Sequence, residues 1–140
     1  MTESETTKHL EFVLNVINRM ASNSFLLKGW SITLVAALFA LAAKESNVNF
    51  VILALLPSLS FWWLDAYYLR QERLYRKLYD SVRVNKDFTD SNRFSLDATQ
   101  FKSEVPNLLK TLWSSTIIAV HGALLVLVIL LTIYLKSLDC

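Results

Sequence analysis

Three apolar runs, each about as long as a helix needs to cross a bilayer, govern what this chain can become. They are Phe25–Ala43, Phe50–Leu69 and Trp113–Leu135. A helix rising 1.5 Å per residue crosses a hydrocarbon core of roughly 30 Å in about 20 residues. The third run is the cleanest, because Ile117 to Leu135 holds no Asp, Glu, Lys or Arg. The first run includes Lys28 and the second Asp65. A short connection, residues 44–49, joins the first two runs and forces an antiparallel hairpin. Composition agrees: hydrophobic residues make up 54% of the chain and charged residues 19%, against about 25% charged in a soluble domain. Two glycines and two prolines are too few for a turn-rich β sandwich or a glycine-rich phosphate loop. The expected fold is all-α, a helical integral membrane protein.

Four segments come out of this pattern. Residues 1–24 join a polar start, which lacks the basic n-region of a signal peptide, to an amphipathic helix. In that helix Leu10, Val13, Leu14, Ile17, Met20 and Ala21 recur at helical spacing, opposite Glu11, Asn15, Asn18 and Arg19. It either lies in the membrane interface or packs on a partner helix. Ser22-Asn23-Ser24 offers N-cap chemistry, so a break or bend is expected there. Residues 25–69 form the transmembrane hairpin, 70–112 a cytoplasmic helix and loop, and 113–140 the third transmembrane helix with a short tail. Arg70–Val84 contains no helix breaker and continues the second span. Tyr67, Gln71, Leu74, Leu78 and Ser81 give it a coiled-coil-like seam. Residues 85–100 read as a loop rich in Asp, Asn and Ser. Pro106 stands near the start of a helix leading into the third span, where its missing N–H costs least. Residues 70–110 hold nine Lys and Arg, whereas 44–49 hold only Lys44. The positive-inside bias therefore puts 70–110 and the N-terminus in the cytoplasm and the C-terminus outside. Trp30, Trp62, Trp63, Trp113 and Tyr134 sit near the ends of the runs, as interfacial aromatics do.

Charges inside the spans are the first candidates for chemistry. Lys28 and Asp65 fall at matching depths of the hairpin, each about one turn from its cytoplasmic end, so they can pair. The pair reads either as part of an ion pathway or as a structural bridge with Lys28 reaching the head groups. His121, followed by Gly122, stands about two turns into the third span. It either faces a lumen or bonds a neighbouring helix, and Gly122 would permit close helix approach. Ser115, His121 and Thr132 are the candidate pore-lining residues. On the juxtamembrane helix, Arg70, Arg73 and Lys77 share one stripe, Tyr68, Tyr75 and Tyr79 another, and Arg76 and Arg83 a third. Cations neutralise phosphates and aromatic faces stack on bases, which suits nucleotides or single-stranded nucleic acid. The same residues also fit a topology signal in contact with anionic lipid, with tyrosines packed in an oligomer. A single cysteine, Cys140, leaves no intrachain disulfide and no cysteine metal site. His9 and His121 lie in different elements and no catalytic motif is present, so neither an enzyme nor a metal or other cofactor is expected.

The stretches HLEFVLNVINRMASNSFLLKGWSIT (9–33) and FWWLDAYYLRQERLYRKLYD (61–80) resemble a family of small bacterial inner-membrane oligomeric proteins, the RipA-like family. They are also similar to the Hailong group of antiphage membrane channels, whose pore is held shut by single-stranded DNA oligomers made by a partner nucleotidyltransferase. The likeness covers roughly the first 80 residues, and the third span agrees only in character. It implies oligomeric assembly and a cytoplasmic ligand-facing region, placed on Arg70–Arg83. Three short helices enclose little alone, so a pore requires a ring of copies, about four to eight. The expectation is a homo-oligomeric inner-membrane channel or pore effector in antiphage defence, gated by a nucleotide or oligonucleotide on its cytoplasmic side. Two other classes stay open. One is a non-conducting oligomeric scaffold that recruits a cytosolic protein. The other is a small subunit supporting a transporter or a lipid-handling enzyme.

Overall fold

A computed structural model describes residues 2–45, 47–84 and 94–138. Every regular element among them is helical: α1 (Glu3–Glu45), α2 (Asn49–Leu53), α3 (Leu55–Val84), a 3-10 turn (Thr99–Phe101), α4 (Leu108–Leu112), α5 (Ser115–Ile117), a π-helical turn (Ile118–Gly122) and α6 (Ala123–Leu138). Three helical stretches are long and apolar enough to cross a membrane: Glu3–Glu45, Asn49–Val84 and Ser115–Ser137.

The break expected at Ser22-Asn23-Ser24 is absent, and α1 runs without interruption for 43 residues. Serine and asparagine cost a helix interior only about 0.5–0.7 kcal/mol each, and tertiary contacts on both sides outweigh that. The Ser24 hydroxyl, a cap acceptor by its local sequence, donates instead to Asp65 on α3. The N-terminal half of α1 packs on a partner helix within the same chain. Val13 and Ile17 join Leu74, Leu78 and Val82 of α3 in a buried cluster completed by Ala98 and Val105. The buried row on α3 is Leu74, Leu78 and Val82, at four-residue steps, while Tyr67 is 45% exposed. The heptad seam expected from the sequence therefore shifts to an i, i+4 row.

The second span is not straight from its start. Ala54 separates α2 from α3, and Pro57 is the cause: it has no N–H for the Leu53 carbonyl, and its ring crowds that carbonyl. The chain closes the gap with a tighter bond, Ala54 N–H to Val51 O at 3.1 Å. Here a second apolar cluster forms from Val35 and Ala42 of α1, Val51 and Ala54 of the hairpin, and Val128 of α6.

Between α3 and the third span the chain is irregular. Residues 85–93 of the expected loop, with Lys86 and Arg93, lie outside the described residues, as does Cys140. Phe94 adopts a φ of 57°, a left-handed conformation costing roughly 1–2 kcal/mol. Its ring meets His9 and Phe12 of α1 edge-on, with each pair of centroids 5.9 Å apart. His9 Nε2 also meets Ser95 O at 2.8 Å. Pro106 lies just outside α4, and Asn107 is the cap, accepting from the Lys110 N–H at 2.9 Å. A kink at Trp113-Ser114 then separates α4 from the third span.

Candidate functional site

One carboxylate collects a side chain from each of the other two spans. Asp65 is fully buried on α3. Lys28 Nζ of α1 lies 2.6 Å from its Oδ2, and His121 Nε2 lies 2.9 Å from the same oxygen. The Ser24 hydroxyl donates to Oδ1 and accepts from Lys28 Nζ at 2.9 Å. Ser24 and Lys28 stand one helical turn apart, so the backbone of α1 presents both to one partner. An ionised carboxylate only accepts, so His121 donates to it from Nε2, and its other ring nitrogen is Nδ1. That Nδ1 is buried and finds no partner among the described residues, and the same holds for Ser31 Oγ. Lys28 is the member that reaches outward, its side chain 21% exposed.

The cluster sits between the two apolar clusters along every span. In α1 it falls between Ile17 and Val35, in the hairpin between Ala54 and Leu74, and in the third span between Val105 and Val128. A charge pair in such surroundings is costly unless its remaining hydrogen-bonding capacity is filled. Ser24 and His121 fill it on the carboxylate side.

The π-helical turn aims the histidine. Adding a residue to one turn rotates the helix beyond it relative to the helix before it, and such turns cluster at functional positions. Gly122 closes this turn, and a Cβ there would meet Ile118 Cγ2 of the same helix at 3.1 Å. His121 thus faces the interior of the chain, bonded to Asp65, and not a lumen. Ser115 is exposed, and Thr132 donates to Val128 O of its own helix at 2.8 Å. Of the three candidate pore-lining residues, Ser115 is thus exposed, His121 buried and Thr132 half-buried.

The basic residues of α3 offered by the sequence as phosphate or lipid contacts have partners within the chain. Arg70 Nε donates to Pro106 O at 3.1 Å, and Arg73 Nη2 donates to Ser114 Oγ at 3.1 Å. Lys77 Nζ lies 3.5 Å from Glu104. Arg76 holds Glu72 one turn back at 2.7 Å, and Arg83 meets Asp80 at 3.5 Å. Tyr75 and Tyr79 pack half-buried against the apolar cluster below. Tyr68 meets Tyr67 edge-on, with centroids 5.5 Å apart. A groove of about 250 Å³ remains open beside them, lined by Arg73, Arg76, Lys77, Asp80, Glu104 and Pro106.

Nothing matches this chain. That holds for protein-family models, for curated proteins and for solved structures. The site therefore stands on its own geometry. Among the described residues no three His, Cys, Asp or Glu side chains gather where a metal ion could be held.

Two features of the site are hard to find from sequence. Ser24 is legible there as a cap residue, and only its spacing of four from Lys28 points elsewhere. Ser114, Glu104 and Pro106 carry no signal at all, because what matters is their position against α3.

Proposed function

We propose that the chain is one subunit of a homo-oligomeric channel in the bacterial inner membrane, gated by an anionic nucleotide or single-stranded oligonucleotide from the cytoplasmic side. The observation that carries gating is the set of contacts between α3 and the connector into the third span. Arg70, Arg73 and Lys77 hold that connector through Pro106 O, Ser114 Oγ and Glu104. Arg70–Pro106 and Lys77–Glu104 are exposed and Arg73–Ser114 is part-buried, and an exposed ion pair such as Lys77–Glu104 is worth about 1 kcal/mol or less. A polyanion that claims the three cations would release the connector and with it the start of the third span. It biases one arrangement over the other by its difference in affinity for the two.

Assembly is supported by what a single chain leaves uncovered. Only 17%, 28% and 17% of the most apolar stretch of each span is buried. On this reading lipid and further copies cover the rest. The charge of residues 70–110 supports an inside N-terminus and an outside C-terminus. The place in antiphage defence, with a partner nucleotidyltransferase as ligand source, rests on the resemblance of residues 9–33 and 61–80 alone.

The test is ion flux from liposomes carrying the purified protein, with and without short oligonucleotides, at two salt concentrations. Flux that responds to the oligonucleotide, with a response that weakens as salt rises, is expected. Joint replacement of Arg70, Arg73 and Lys77 by Gln should abolish the response. Intact oligomers that pass no ions under any condition would leave the scaffold reading in place of the channel.

A further inference from the structure

Trp62, Trp63 and Leu59 of α3 face Leu112 and Trp113 at the end of α4 across a slot of about 300 Å³. Its walls are fixed. The Trp62 indole N–H donates to Leu112 O at 3.0 Å, and the Trp62 and Trp113 rings meet edge to face with centroids 6.3 Å apart. With that N–H engaged, the slot offers a ligand only apolar and aromatic surface. A wider groove of about 660 Å³ shares Trp113 with the slot and continues past Ser103, Glu104, Asn107 and Lys110. Asn107 is spent on capping α4 and Glu104 meets Lys77. Lys110 has no ion pair among the described residues and is the charge this groove offers.

An apolar slot opening onto a cationic groove, at the depth of the interfacial tryptophans, has the shape and polarity of a membrane lipid. We propose that slot and groove form a binding site for an anionic phospholipid of the surrounding leaflet, with one acyl chain between the tryptophans and the phosphodiester beside Lys110. The lipid braces α4 against α3, so leaflet charge bears on the same connector that the cytoplasmic cations hold. The site rests on the membrane reading above but not on ion conduction.

The experiment uses the full chain with Trp30→Phe, which leaves fluorescence to Trp62, Trp63 and Trp113. It is placed in phosphatidylcholine vesicles, and acyl-brominated phosphatidylglycerol or acyl-brominated phosphatidylcholine is titrated in. Brominated phosphatidylglycerol should quench at about fivefold lower mole fraction, the worth of one lysine near an anionic surface. Lys110→Gln should bring the two curves together. Leu59→Phe, which fills the slot, should raise the phosphatidylglycerol needed towards the phosphatidylcholine level. Superimposed curves in the unmodified chain overturn the site, as does selectivity that survives Lys110→Gln. Quenching by neither lipid would mean that a second copy covers the slot, which also overturns it. A chain that fails to float with the vesicles sinks the membrane reading as well, whereas superimposed curves in a floating chain sink the lipid site alone.

Discussion

Asp65 accepts from Ser24, Lys28 and His121 at once, so removing any partner has unequal consequences. Lys28→Met leaves a buried carboxylate with only Ser24 and His121 as partners. Breaking a buried pair in this way costs about 3–5 kcal/mol. Lys28→Met with Asp65→Asn removes both charges together and should cost clearly less than the sum of the two single changes. Thermal unfolding of the detergent-solubilised protein, run as a double-mutant cycle, measures this, and strict additivity would show that the two residues do not interact. The reversed pair, Lys28→Asp with Asp65→Lys, should recover only part of the loss, because His121 Nε2 then faces a cation. Outside the spans, hydrogen bonds from Thr99 hold the Asp97 carboxyl below the usual carboxylate range. A lowered carboxylate contributes above its unfolded-state value and loses that contribution as pH falls through the folded one. The 3-10 turn it starts should therefore persist through mild acid, and an NMR titration of Asp97 should move upward in Thr99→Ala.

Helix packing gives a sharper forecast at the next scale. Leu78 is 1% exposed, in the cluster that fastens the front half of α1 to the end of α3. Leu78→Ala should cost about 2–5 kcal/mol. The loss should be local: amide exchange should quicken in residues 9–21 and 71–83 and stay slow in 31–43, beyond the polar cluster. Equal acceleration throughout would mean that α1 unfolds as one unit. The elements themselves are largely legible in the sequence. Apolar run length marks all three spans, and the breaker-free stretch Arg70–Val84 marks the extension of α3. Whatever depends on a partner stays hidden. Ser22-Asn23-Ser24 has the local chemistry of a cap, and only the distant Asp65 carboxylate redirects it. Pro57 is plain to see, yet the apolar run around it masks the break it makes. His121 is visible as a titratable group in a span, but the π-helical turn that points it inward leaves no trace in hydrophobic periodicity.

For the molecule as a whole, three poorly buried spans make assembly the quantity to measure. Light scattering of the purified particle, corrected for detergent, should give four to eight times the 16.0 kDa chain mass. A monomer at every concentration would remove the channel reading outright. Orientation has its own check: a maleimide unable to cross membranes should label Cys140 in intact spheroplasts. Labelling only after lysis would reverse the topology inferred from the loop charges. In a helix long and apolar enough to cross a bilayer, the position of the Ser24 contact acquires mechanical meaning. Ser24 is the middle residue of α1, with equal lengths of helix on either side. A stiff rod of roughly 65 Å is thus fastened at three heights, by Val13 and Ile17 on one arm, by Ser24 on Asp65 at its midpoint, and by Val35 and Ala42 on the other.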